Sequence, residues 1–145
     1  MVTQSLQESV MDYELRWKQR FSNFQNAYRT FLRVLERLDA NPKDEIVKMA
    51  LIPSFEFTYE LAWKTMKDYL ESEGFDSSQS SKQTIRTAFQ AELIDTPEGW
   101  MNAVEKRNLV RDTYENSLLE EAIIFIRQEF FPLAGKLHED LNSRL

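Results

Sequence analysis

The sequence predicts an all-α fold, an up-and-down four-helix-type bundle with one extra short helix, in a single domain over residues 1–145. Three observations lead there. Three glycines and four prolines leave little room for loops. Apolar side chains recur at steps of three and four through most of the chain, the period of a helix face. Stop and start signals at Asp39–Pro42, Gly74–Ser81, Thr96–Pro97 and Asp112–Glu115 then divide it into three long and two short helical segments.

The first segment carries Leu6, Val10, Tyr13, Trp17, Phe21, Phe24, Tyr28, Phe31, Leu35 and Leu38 in a heptad-like seam with one stutter near Trp17. Its aromatic bulk favours packing into a bundle over a free two-stranded coil. Residues 43–73 contain an alternating stretch, Phe55 to Trp63, that imitates a strand. No turn signal separates it from the helical spacing of Met66, Tyr69 and Leu70, so it reads as a central helix buried all round, kinked at Pro53 and stopped at Gly74. Ser80 with Gln83 forms a capping box that opens a short helix with Ile85, Ala88, Phe89 and Leu93 on one face. Thr96-Pro97 starts another, with Trp100, Met101 and Val104 inward. Leu118 to Leu141 reads as the last long helix, kinked or divided by Pro132.

The composition narrows the functional classes. No cysteine is present, so disulfides, thiolate nucleophiles and cysteine-held metals are excluded. The one histidine, His138, reads as a solvated tail residue, and neither metal nor cofactor is expected. The amino-terminal residues have no signal-peptide pattern and no stretch suits a membrane span. A cytoplasmic protein is expected. The net charge of −6 repels nucleic acid overall, so any nucleotide or RNA site has to be a local basic patch. Lys67, Arg86, Lys106 and Arg111 are candidates for it. The 18 aromatic side chains exceed the needs of one small core, which suggests a homodimer.

Polar function is densest in Glu105-Lys-Arg-Asn-Leu-Val-Arg-Asp-Thr-Tyr-Glu-Asn116, too dense for a packing segment. A second polar stripe, Glu56, Glu60 and Lys64, lies at i, i+4 and i+8 on one helix face. It reads either as an exposed ladder worth a few tenths of a kcal/mol per pair or as one wall of a pocket facing Arg107. Trp63 and Trp100 have the chemistry to stack a base, although tryptophans at helical spacing more often belong to the core.

Phe55-Glu-Phe-Thr-Tyr-Glu-Leu-Ala-Trp-Lys64 and Arg107-Asn-Leu-Val-Arg-Asp-Thr-Tyr114 resemble the nucleotidyltransferase substrate-binding protein family, part of the HEPN group of helical domains. Ile85-Arg-Thr-Ala-Phe89, Leu93-Ile94 and Trp100 fall where the family has similar residues. The resemblance covers roughly residues 20–140. It implies a usually dimeric bundle encoded beside a minimal nucleotidyltransferase. In many such pairs the bundle is a metal-independent RNase toxin and the transferase its antitoxin. The family's arginine stabilises a phosphorane-like transition state and its histidine moves protons.

By that resemblance Arg107, Asn108 and Asp112 are the candidate catalytic residues. Glu56, Glu60, Lys64, Arg86 and Arg111 are the candidate substrate-binding ones. Asp112 occupies the histidine's place. With a reference pKa near 3.9 it is a weak base at neutral pH and no proton donor, and an Arg–Asp pair at a helix end is an equal reading. Tyr114, two residues on, matches the tyrosine that related transferases modify with AMP; packing on Leu118 is the alternative. Three functions follow: a nucleotide- or RNA-binding partner subunit, an endoribonuclease using Asp112, or a structural dimerisation module.

Overall fold

A computed structural model describes the backbone of residues 2–76, 80–112 and 116–145, and side chains over 11–76, 80–110 and 118–145. Among the described residues there are helices and no strand: α1 (Val2–Ala40), α2 (Glu45–Ser72), α3 (Ser81–Gln90), α4 (Pro97–Asp112), α5 (Asn116–Phe125), a single π turn (Ile126–Phe130) and α6 (Phe131–Asn142).

Local chemistry sets most of the ends. Asp44 caps α2, its carboxylate accepting from the amides of Ile46 at 3.0 Å and Val47 at 3.4 Å. At the other end of α2 the Phe75 amide reaches the Leu70 carbonyl and the Gly74 amide the Glu71 carbonyl, a Schellman closure. It needs the left-handed φ of +90° at Gly74, which a glycine adopts without strain. Ser80 caps α3 through the Gln83 amide, as its spacing predicts. Pro97 is the first residue of α4.

The last long segment is divided at Pro132, as expected. Pro132 has no amide proton for the carbonyl of Gln128, and its ring crowds that carbonyl. The backbone widens by one residue just before it, and the Phe131 amide bonds to the Ile126 carbonyl instead.

α1 and α2 form the main antiparallel pair, with α6 against both and α4 packed on α2 and the π turn. Trp17, Phe21, Phe24, Phe31, Leu35 and Leu38 of α1 face Leu51, Phe55, Tyr59, Ala62, Met66 and Leu70 of α2, all in the core. Each Leu, Phe or Met among them contributes about 1.5–3 kcal/mol by burial. Phe130 is fully buried where the layers converge, with ring centroids 4.8 Å from Phe55, 5.7 Å from Phe31, 5.9 Å from Trp100 and 6.4 Å from Tyr59. Gly99 lets α4 close on α6, since a Cβ there would stand 2.6 Å from Leu133 Cδ1.

Four expectations are corrected. Tyr13, assigned to the α1 seam, is exposed, as are Met11 and Leu15. α1 at roughly 58 Å outreaches α2 at roughly 42 Å, so its first turns have no α2 beside them. α2 is not buried all round. Ile46, Met49 and Phe57 are exposed, because they lie opposite Leu51, Phe55 and Tyr59, and Phe57 lines a groove of about 720 Å³ between α1 and α2 together with Val34, Ala50, Pro53 and Leu61.

Phe89 is also exposed, because α3 is covered on one side only and Ile85 and Ala88 occupy that side. His138 is no tail residue. α6 lays it on α1, stacked 5.1 Å from Tyr28 and 5.5 Å from Phe21, with Nε2 3.1 Å from Gln25 Nε2.

Phe130→Ala removes the ring that joins four neighbours and is expected to cost about 3–5 kcal/mol, read as a fall in the urea midpoint. Burial, and secondarily Arg29, lowers the His138 pKa, while Glu139 opposes them. The folded chain therefore favours neutral imidazole. The stability this contributes is full above about pH 6.5 and is lost as pH falls through the depressed folded value. The urea midpoint of the wild type is expected to fall as the pH is lowered from 7.5 to 5.5, and His138→Gln to flatten that slope.

Candidate functional site

The two polar motifs meet across the bundle. On α4 the buried stripe runs Trp100, Ala103, Val104, and the next position on that face is Arg107, so the packing that seats α4 also turns the arginine inward. Arg107 Nη1 forms an ion pair with Glu60 Oε1 at 2.5 Å. The other oxygen of Glu60 accepts from Trp63 Nε1 at 3.2 Å and faces the Lys64 ammonium at 3.7 Å. Trp63 and Lys64 stand three and four residues after Glu60, the spacing that puts all three on one face. The side chains of Arg107 and Glu60 are 19% and 25% exposed, so water screens the pair less than an open surface bridge.

Tyr59 lies beside this pair, fully buried, with the Arg107 guanidinium 5.8 Å from its ring centroid. Burial pushes its phenol up to about 12. Ser81 and Arg107 oppose the shift and Glu60 adds to it. Ser81 stands near the hydroxyl without meeting hydrogen-bond geometry, for Tyr59 Oη and Arg107 Nε are both buried with no hydrogen-bond partner among the described residues. A buried donor left this way costs about 1–3 kcal/mol. At neutral pH the Tyr59 phenol therefore keeps its proton. It cannot act as a base.

The structure brings Glu60, Lys64 and Arg107 together and places Trp63 against them. Glu56 is half-buried one turn earlier on α2, and Arg86 is exposed on α3. Asn108 is exposed beside Arg107, and Lys106 is half-buried. The side chains of Arg111 and Asp112, and all of Tyr114, lie outside the described residues. Trp100 is core, 1% exposed, and closed to base stacking, whereas Trp63 is half-buried.

Sequence reasoning passed over Tyr59, which sits inside the first motif but carries a phenol that pattern alone assigns to packing. It also missed Arg20, whose Nε donates to the buried Asp68 carboxylate at 2.9 Å, 48 positions away, a pairing with no local signal. Among the described residues no group of three or more His, Asp or Glu is placed to hold a metal, and no helix is long and apolar enough to cross a membrane.

Residues 19–143 match the family described as nucleotidyltransferase substrate binding protein like. No curated protein matches the chain. Among solved structures, it is similar to a chain of the tri-AMPylated Shewanella oneidensis HEPN toxin in complex with MNT antitoxin, with TM-score 0.70 and 12% identity, over 88% of this chain and 96% of that one. It is similar also to a protein from Thermus thermophilus, with TM-score 0.64 and 28% identity, over 83% of this chain and 97% of that one.

Glu60→Gln keeps the shape of the site and removes the charge that holds Arg107. A half-buried guanidinium without its carboxylate is expected to cost about 1–3 kcal/mol. Lys64→Ala, which removes only a long i, i+4 contact, is expected to cost less than about 0.5 kcal/mol. Urea denaturation of the two variants at low salt compares them directly.

Proposed function

This chain belongs to the nucleotidyltransferase substrate binding protein like family, and we propose that it is the helical partner subunit of a minimal nucleotidyltransferase, acting as a homodimer in a toxin–antitoxin type pair. Its cleft around Arg107 takes a nucleotide or RNA phosphate. One observation carries this reading: where the two motifs meet, Glu60 fixes the donors of the Arg107 guanidinium, whose side chain is 19% exposed, beside Trp63 and Lys64. Such donors suit an anionic oxygen in a partly dry site.

Further support comes from the HEPN toxin of similar fold, which is complexed with an MNT antitoxin. The apolar groove beside Phe57 supports the homodimer, since a second copy laid there would cover that exposed ring together with Val34, Ala50, Pro53 and Leu61. Tyr114 is the proposed acceptor of a nucleotidyl group, by analogy with the AMPylated state of that toxin. In that step the phenol oxygen attacks the α-phosphorus of ATP, pyrophosphate leaves, and a base on the transferase takes the proton. The adduct's phosphate would lie close in sequence to Arg107 and Arg111. The reading assigns Asp112 no proton transfer, because an aspartate at its ordinary pKa is ionised at neutral pH.

Co-expression with the nucleotidyltransferase encoded beside this gene tests the reading. The expected outcome is a stable complex containing two copies of this chain by light scattering. Its mass gains one nucleotidyl group per modified copy after incubation with ATP, and Tyr114→Phe abolishes that gain. A chain that stays monomeric and free of the transferase at tens of micromolar would overturn the reading.

A further inference from the structure

Next to the Arg107 site is a pocket of about 280 Å³ lined by Arg20 of α1 and Trp63, Lys64, Lys67 and Asp68 of α2. Three cations and one carboxylate line it, in a protein of net charge −6. We infer that this pocket is a second nucleotide-binding subsite, in which Arg20 and Lys67 hold a phosphate and Trp63 stacks the adjoining base. The inference rests on the reading of Arg107 as the centre of a phosphate-binding cleft, and it extends that cleft along α2.

The pocket is built for a fixed cation. Asp68 is only 4% exposed, a costly place for a carboxylate, and its partner is Arg20. Asp68 engages Arg20 through Nε, and no hydrogen bond to a described residue occupies the two terminal nitrogens of the guanidinium. That end of arginine matches the two oxygens of a phosphate. Lys67 is oriented by Glu71 at 3.2 Å, and Lys64 by Glu60 at 3.7 Å.

Glu60 joins the two sites, because the carboxylate that holds Arg107 also bonds the Trp63 indole that lines the pocket. From Glu60 to Lys67 is roughly 10 Å along the helix. A strand held at Arg107 by one phosphate therefore has the pocket within reach of a neighbouring nucleotide. Trp63 is only half-buried, with the Lys64 ammonium 6.0 Å from its ring, and base stacking on an indole contributes about 1–3 kcal/mol per base.

Trp63 is also the reporter. The other two tryptophans, Trp17 and Trp100, are 2% and 1% exposed, so a base entering the pocket quenches one of three indoles. The experiment titrates the full chain with AMP and with a single-stranded RNA octamer. It follows tryptophan fluorescence and, for a fluorescein-labelled octamer, anisotropy at several salt concentrations. Saturable quenching is expected in the wild type and absent in Trp63→Phe.

Arg20→Ala and Lys67→Ala are each expected to weaken octamer binding several-fold and to flatten the slope of log K against log salt by about 0.7. Lys67→Ala leaves Asp68 paired with Arg20, so it serves if Arg20→Ala does not fold. Quenching by AMP alone identifies a mononucleotide pocket, and quenching by the octamer alone a strand-binding one; either supports the assignment. Octamer binding that needs Arg107 but is indifferent to Arg20, Trp63 and Lys67 overturns the pocket and leaves the Arg107 cleft standing. Binding of neither probe removes both.

Discussion

Phe130 meets Phe31, Phe55, Tyr59 and Trp100 in one buried layer, and through them α1, α2, α4 and the π turn become one body. Phe130 closes the π turn just before Pro132, where the helix widens by one residue. The Glu60–Arg107 pair depends on the same layer. Tyr59 precedes Glu60 in α2, and Trp100 sets the rotation of α4 that carries Arg107. Close packing leaves neither ring room to shift without moving the charged side chains beside it. The site is thus held by apolar side chains that touch no ligand.

Charge works locally in this protein, against the sign of the whole. Along α2 acids and bases alternate at helical spacing, with Glu60, Lys64, Lys67 and Glu71 linked in pairs. Arg20 and Arg107 reach this strip from α1 and α4. Each arginine is held by a carboxylate that is largely withdrawn from water, and each keeps donors that its partner does not use. An exposed lysine on a flexible stem would lose more freedom on binding a phosphate than a guanidinium already held in place. The strip therefore concentrates oriented cations on one side of α2 while the molecule remains acidic.

Helix periods, caps and stops are local properties, and they are legible from residues alone. The pattern does not single out Asp44 as a cap, but Ser80, Gly74, Pro97 and Pro132 act as their chemistry dictates, because each acts on backbone within a turn or two of itself. The family is legible too, since its two motifs are contiguous runs.

Residues read in order therefore yield a helical bundle of this family, with Arg107 and Glu60 as polar residues too concentrated for packing. It took the packed helices to bring these two into contact, to seat Tyr59 beside them with its hydroxyl unmatched by any described residue, and to join Arg20 to Asp68 across 48 positions. The same packing stacks His138 on α1 and keeps Phe57 out of the core. Helical periodicity says which residues share a face. Which neighbour covers that face depends on how long each helix is and where the next one crosses it, and those are properties of the packed whole.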